Sequence, residues 1–340
     1  MKGGCDDLAR IRQYDAFGVC LEVQADGPEQ LERLSRWLTV PALLELRSSD
    51  ARLVWREASS TEFDRLLPLP DEAALQSRQL VDMGYREVRY SAYRTEAGIW
   101  TEYEGLSRVF LAAHEPLANT VWAPGVYPYP DFGDLLAAVG PLNRLLRHAG
   151  VFMVHGSCVA IDGQAVLFVG QSFRGKSTAA YAMMRQGYPV LNDDRVLVWL
   201  AEDGYRVGTL SDVFKLRDAS TNRFFPELME HEPIGCLDGE KLFKISEIPA
   251  LRFCSQAKLA GLLMLDRTGL AESQVVAVHP ARLTQELLPG SLSAFDVVWS
   301  PQAFAFLMDM LMQVPCAKLE FGTDMARFVA AVEQWCKTRY

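Results

Sequence analysis

One octet constrains this chain more than any other part of it: Gly170-Gln171-Ser172-Phe173-Arg174-Gly175-Lys176-Ser177. It has the form G-x-x-x-x-G-K-S, in which a glycine-bearing loop turns successive backbone N–H groups inward around phosphates. Such a loop needs a strand before it and a helix after it. Here the apolar run AVLFV enters the loop, and residues 176–185 leave it with helical character, stopping at Gly187. The N-terminus of that helix adds partial positive charge. Lys176 has the reach for the β- and γ-phosphates of a nucleotide, and the Ser177 hydroxyl suits Mg²⁺. The candidate nucleotide-binding residues are therefore Gly170, Gln171, Ser172, Phe173, Arg174, Gly175, Lys176, Ser177 and Thr178. The competing reading is a strand–turn–helix connection whose glycines serve packing alone.

Fewer than twenty residues downstream, an apolar strand ends in Leu191-Asn192-Asp193-Asp194. Two adjacent carboxylates there are costly unless they meet a metal, a base or solvent. If the strand stays regular, the two side chains point to opposite faces. One of the two, Asp193 or Asp194, then suits a metal and the other the proton of an incoming hydroxyl. The alternative is a solvated strand end. His155-Gly156 closes the first strand of this half, and a lone histidine in such a place is more often structural.

The rest of the chain divides in texture. Residues 17–23 read as a strand and 28–38 as a helix, with Leu31, Leu34 and Leu38 at helical spacing. Residues 43–55 hold two apolar runs broken by Ser48-Ser49-Asp50, which predicts a hairpin; 85–93 alternate like a strand; 99–104 and 107–113 flank Gly105 as a second hairpin. This predicts an α+β domain over residues 1–130. The Pro-rich stretch 123–132 reads as a linker, with Asp131 placed to cap the helix that follows and ends near Gly150. Residues 131–340 then read as an α/β domain. Strands are expected at 151–154, at 157–161 and 165–169 joined by Asp162-Gly163, at 257–265, 274–278 and 316–320, with helices at 301–313 and 324–336.

Composition narrows the function classes. Lys and Arg total 34 against 43 Asp and Glu, a net charge of −9, which argues against a nucleic-acid partner. No apolar run approaches a membrane span, and the N-terminus is too polar for a signal peptide, so the expected location is cytoplasmic. The seven cysteines form no Cys-x-x-Cys pair, which speaks against a zinc ribbon or a disulfide framework.

Taken together, VHGSCVAIDGQAVLFVGQSFRGKSTAAYAMMRQGYPVLNDDRVLV resembles the core of the HPr kinase/phosphorylase family. The order matches: His-Gly, a hairpin, the phosphate loop, a helix ending in glycine, then Asp-Asp-Arg-Val. A fainter likeness continues through GEKLFKI, LAGLLMLDR and VHPARLTQELL. The resemblance implies an α/β, P-loop, HPr-kinase-like C-terminal core. It implies that Lys176 binds nucleotide phosphates, that Ser177 binds Mg²⁺, that Asp194 accepts the proton of a target serine, and that His155 belongs to the active site. It also implies a homo-oligomer.

The departures are as informative. Phe173-Arg174 stand where the family's loop has Gly-x, and Arg174 adds a phosphate contact or points to solvent. In Phe214-Lys215-Leu216-Arg217, lysine replaces the metal-binding glutamate of the family's Leu-Glu-Ile-Arg-like stretch. Arg217 and Lys241 are candidates to neutralise transition-state charge, or are surface cations. The expectation is a Mg²⁺-dependent, ATP-using serine kinase acting on a peptide or small protein, with the C-terminal serine of a lasso-peptide precursor as one acceptor. The rivals are a small-molecule hydroxyl kinase, of free serine or a sugar, and a nucleotide-binding regulator without catalysis.

Overall fold

Phe17 and Gly18, both with positive φ (62° and 89°), turn the chain into its first hairpin, β1 (Ile11–Ala16) against β2 (Val19–Ala25). The computed structural model describes residues 10–83, 85–126, 133–171, 174–217, 228, 230–237, 239–249, 251–291 and 300–338. It divides into two compact units, Met1–Val151 with Pro233–Leu242, and Phe152–Glu232 with Phe243–Tyr340.

In the first unit, α1 (Pro28–Ser35) carries the chain from β2 to β3 (Ala51–Glu57), which lies parallel to β2. An antiparallel meander follows: β4 (Leu75–Asp82), β5 (Glu87–Arg94), β6 (Gly98–Tyr103), β7 (Ser107–Ala112) and β8 (Leu117–Trp122). Among the described residues these form one sheet in the order β1-β2-β3-β8-β7-β6-β5-β4. The hairpin expected over 43–55 does not form. β3 takes its partners from β2 and β8, both parallel, and Leu44 and Leu46 are left exposed with no strand. The hairpin around Gly105 forms as expected.

The helix before Gly150 begins as a π-helical turn, Leu135–Val139, continues as α2 (Gly140–Leu145) and tightens into a 3₁₀ turn, Leu146–Ala149. It buries Ala137, Ala138, Val139, Leu142 and Leu145 and packs against β3, β7 and β8. This apolar face is why the first compact unit runs to Val151, where the sequence divides the chain at residue 130. Asp131 and most of the Pro-rich stretch lie outside the described residues.

The second unit is three-layered. Strands β9 (Phe152–His155), β10 (Ser157–Ile161) and β11 (Gln164–Val169) come first, and α3 (Lys176–Arg185) follows the loop. Then come β12 (Val190–Asn192), β13 (Arg195–Ala201), β14 (Gly204–Gly208) and β15 (Val213–Leu216). A short hairpin, β16 (Gly235–Leu237) and β17 (Glu240–Lys244), carries Pro233–Leu242 of the first unit. Next are β18 (Gln256–Arg267), β19 (Gln274–Val276), α4 (Pro280–Ser291), α5 (Ser300–Gln313), β20 (Cys316–Phe321) and α6 (Met325–Lys337).

The main sheet runs β12-β10-β11-β18-β14-β13-β9, with β20 beside β18 and β19 beside β20. β11, β18 and β20 are parallel. A strand covered on both faces reads as a continuous apolar run, which is the physical content of AVLFV. Its alternation feeds two cores. Val166 and Phe168 pack with Ala179, Ala180 and Met183 of α3 and with Phe328 and Val332 of α6. Ala165, Leu167 and Val169 pack with Leu283 and Leu287 of α4 and Leu307 and Met310 of α5. Asp324 caps α6 by accepting from the N–H groups of Ala326 and Arg327. Among the described residues no helix is long and apolar enough to cross a membrane.

Candidate functional site

The described residues of the predicted phosphate loop, Gly170, Gln171 and Arg174 to Ser177, sit where β11 meets α3. Gly175 holds φ 97° directly before Lys176, and a Cβ there would lie 2.8 Å from the Phe321 ring, so the turn into the helix admits glycine alone. Lys176 is buried, and its Nζ donates to the carbonyls of Gly170 (2.9 Å) and Gln171 (3.1 Å). Burial lowers its pKa, while Asp194, Glu286 and Asp193 pull it back up. Those three carboxylates therefore share one electrostatic site with the loop lysine.

Glu286 was not legible from the motif. It is buried, accepts from the Gln171 N–H (3.1 Å) through Oε2, and pairs through Oε1 with Arg282 (3.5 Å). A carboxylate thus occupies a loop amide, one of the groups that such loops offer to phosphate. Arg174 pairs with Asp266 (3.4 Å) rather than turning freely into solvent. Beside it opens a polar cleft of about 310 Å³, lined by Arg174, Asp266, His279, Arg282, Glu286 and Lys318. Ser172 and Phe173 lie outside the described residues.

The carboxylate pair is shaped by Asn192. The strand stops there, and Asn192 Oδ1 accepts from the N–H groups of Asp194 (3.0 Å) and Arg195 (3.1 Å). This side-chain turn, not strand alternation, sends the two aspartates different ways. Asp193 goes inward and is 2% exposed. Its Oδ1 accepts from the Lys215 N–H (3.1 Å), and its Oδ2 lies 2.9 Å from the Tyr181 hydroxyl. That hydroxyl is also 2.6 Å from the Lys215 carbonyl. A hydroxyl carries one proton, so both contacts are satisfied when Asp193 is itself protonated and donates to Tyr181. Burial, then the neighbouring Asp194 charge, push the Asp193 carboxyl up to about 7, in keeping with that arrangement.

Asp194 is the ionised member. Its Oδ1 lies 3.2 Å from His155 Nδ1, its Oδ2 2.8 Å from Lys215 Nζ and 3.8 Å from Arg195 Nε. Burial works to raise its pKa, but the hydrogen bond with His155 and the charges of Lys215 and Arg195 drive it well below the usual carboxylate range. β9 and β13 pair His155 with Arg195, and the Gly156 N–H donates to the Asp194 carbonyl (2.9 Å), which brings the His-Gly and Asp-Asp segments together. Behind His155 stands the end of α4. A Cβ at Gly290 would come within 2.5 Å of the His155 ring, and the His155 N–H donates to Ser291 Oγ (3.0 Å).

His155, Lys176, Asp193 and Asp194 are thus gathered in one place. Arg217 follows the end of β15 and is exposed. Lys241 lies on β17 opposite Cys236, in the first unit. For a divalent ion, the half-buried Ser177 hydroxyl in the first turn of α3 is a fitting hard donor. Asp193 fits less well, since both its oxygens already have protein partners. Among the described residues no group of three or more His, Cys, Asp and Glu could hold a metal by itself.

Comparison with known proteins bears on this geometry. No family model matches the chain. The HPr kinase/phosphorylase of Lactobacillus delbrueckii subsp. bulgaricus is 36% identical over 95 residues, 28% of this chain and 27% of that protein. The HPr kinase/phosphorylase of Lachnoclostridium phytofermentans is 30% identical over 145 residues, 38% of this chain and 43% of its own length. Over the matched stretch, the chain is HPr-kinase-like. The chain spans less than half the length of these HPr kinase/phosphorylases. The solved HPr(Ser) kinase/phosphatase from Coxiella burnetii aligns over 55% of this chain and 91% of its own at 10% identity, with a TM-score of 0.32.

Proposed function

We propose that the protein is an ATP-dependent kinase that transfers the γ-phosphoryl group to a serine hydroxyl of a peptide or small protein. The observation that carries this reading is the shared site: the loop lysine, Lys176, lies in the field of Asp194, which is in turn held by His155. Lys176 leaves the carbonyls of Gly170 and Gln171 for the phosphates, and the amides of the loop complete the cradle. Ser177 holds Mg²⁺, which supplies charge neutralisation at the phosphates when bound.

Asp194 receives the acceptor hydroxyl. Its depressed pKa makes it a weak proton acceptor, so its larger contribution is orientation. That suits a loose phosphoryl-transfer transition state, which asks more for positioning than for proton removal. His155 fixes the Asp194 carboxylate from the other side.

The peptide reading rests on the name of the relatives, whose substrate is the protein HPr, and on the first unit. That unit carries none of the gathered groups and holds a polar cavity of about 410 Å³ lined by Arg10, Asp26, Arg56, Glu57, Glu62 and Arg65. Recognition of the acceptor is assigned to it, and a lasso-peptide precursor with a C-terminal serine is the acceptor to try first. The same reading places a homo-oligomer in the cytoplasm.

The test is incubation of candidate peptides and free serine with ATP and Mg²⁺, followed by mass spectrometry. Each event should add about 80 Da to a cognate peptide. Ser→Ala in the peptide, or Lys176→Ala in the protein, should stop it. Transfer to free serine without transfer to any peptide would favour the small-molecule kinase, and nucleotide binding without any transfer would favour the regulator.

A further inference from the structure

β15 reads Val213-Phe214-Lys215-Leu216, and its alternation leaves one polar side chain among buried neighbours. Phe214 and Leu216 enter the core beneath the sheet. Lys215 is held at three points. Its N–H donates to Asp193 Oδ1 (3.1 Å), its carbonyl lies 2.6 Å from the Tyr181 hydroxyl, and its Nζ donates to Asp194 Oδ2 (2.8 Å). Tyr181 is itself fixed: it is 1% exposed, sits on α3 one turn beyond the phosphate loop, and packs against the Phe214 ring.

A surface ion pair needs none of this. The aspartate below grips the backbone of the lysine, and the lysine side chain grips the aspartate above. A positive charge is therefore fixed against the ionised member of the aspartate pair, and one of the groups that hold it, Tyr181, belongs to α3. Phosphoryl-transfer sites commonly neutralise their carboxylates and phosphates with one or two divalent ions. Here every oxygen of the carboxylate pair already has a protein partner: the Tyr181 hydroxyl and the Lys215 N–H at Asp193, His155 and the Lys215 ammonium at Asp194.

We propose that Lys215 is a positioning residue, the fixed cation that orients Asp194 and fills the place a second divalent ion would otherwise take. Tyr181 and Asp193 are the clamp that holds it there. The site then works with one nucleotide-bound ion, held at Ser177. This inference rests on the kinase reading above, and its test has a readout that does not depend on turnover.

Mn²⁺ bound in the presence of a non-hydrolysable ATP analogue can be counted by electron paramagnetic resonance of the free ion. The unchanged protein should bind one Mn²⁺ per chain with the analogue, and Lys215→Glu, which exchanges the cation for a ligand, should bind two. Two ions in the unchanged protein would overturn the proposal, as would a folded Lys215→Glu that still takes one.

A second arm guards against misfolding of that variant. With ATP and water as substrates, Lys215→Met should lower kcat on the order of 100-fold and leave KM for ATP within about threefold. Lys215→Arg should restore kcat to within about tenfold of the unchanged protein, because it returns the charge. A Met variant that turns over within threefold of the unchanged protein, or an Arg variant as poor as Met, overturns the positioning role. Failure of the kinase reading has another signature, since an unchanged protein that binds neither analogue nor Mn²⁺ overturns both.

Discussion

Two adjacent aspartates in this chain have opposite proton affinities, and the difference traces to their neighbours. Asp193 is buried next to a negative charge and retains its proton up to about pH 7, against an ordinary value of 3.8. Asp194 meets His155, Lys215 and Arg195 and stays ionised far below that. The consequence for stability has a definite sign. As pH rises from about 4 to about 7, Asp193 loses its proton in the unfolded chain and keeps it in the folded one, so its contribution to folding falls through that window. Asp194 acts in the opposite sense, and its stabilisation is lost only as pH falls below the ordinary carboxylate range. Asp193→Asn keeps a donor for Tyr181 but cannot titrate. Urea unfolding at pH 5 and pH 7 should therefore show the unchanged protein gaining stability toward pH 5, with that gain reduced in the variant. Equal pH responses in the two proteins would mean that Asp193 is not the titrating group.

At the scale of elements, the octet and its flanks were readable because their physics is local. A strand buried on both faces, a turn into a helix and a hairpin at Asp162-Gly163 each leave a mark within ten residues. The first half hid more. β1 reads IRQYDA, with polar residues on both faces, and its existence depends on the turn at Phe17-Gly18 and on β2. β3 looks like half of a hairpin until its partners, β2 and β8, are known to come from far along the chain. In the site, Glu286 lies on the buried stripe of α4 with Leu283 and Leu287. A carboxylate buried between Leu283 and Leu287 was the available signal. Tyr181 and Asn192 gave none, since a buried tyrosine or asparagine is ordinary until its partners are seen.

The first sheet owes part of its integrity to one such unreadable pairing. Arg108 on β7 is buried and donates to Glu102 across the strand pair (2.6 Å and 3.0 Å), to Asp64 (2.9 Å) and to the Leu67 carbonyl (2.8 Å), and it lies over the Phe63 ring. It ties the one-turn helix Phe63–Leu66 to the sheet. Arg108→Ala leaves Glu102 without its cation and should cost about 3 kcal/mol. Urea unfolding followed by the fluorescence of Trp55, Trp100 and Trp122, all on this sheet, should show the midpoint move down. An unchanged midpoint would make the network ornamental.

At the scale of the molecule, two units of different construction share one chain, and the chemistry collects in the second. The first, mostly antiparallel, sheet holds a polar cavity. The parallel strands β11, β18 and β20 bring the predicted phosphate loop to the carboxyl end of the second sheet, where open α/β sheets bind ligands. Within that unit α4 touches both ends of the site. Glu286 sits on a loop amide, and one helical turn later Gly290 presses on His155, with Ser291 accepting from its backbone. On the proposed kinase reading, a triphosphate would take the Gln171 amide from Glu286, so filling the loop would be an exchange rather than an addition. Glu286→Gln keeps the shape and removes the charge, and calorimetry should find ATP bound several-fold more tightly by it than by the unchanged protein; weaker binding would show that Glu286 supports the loop instead of competing for it. On that reading, α4 would tie the filling of the loop to the backing of His155, so that one helix answers to both ends of the site.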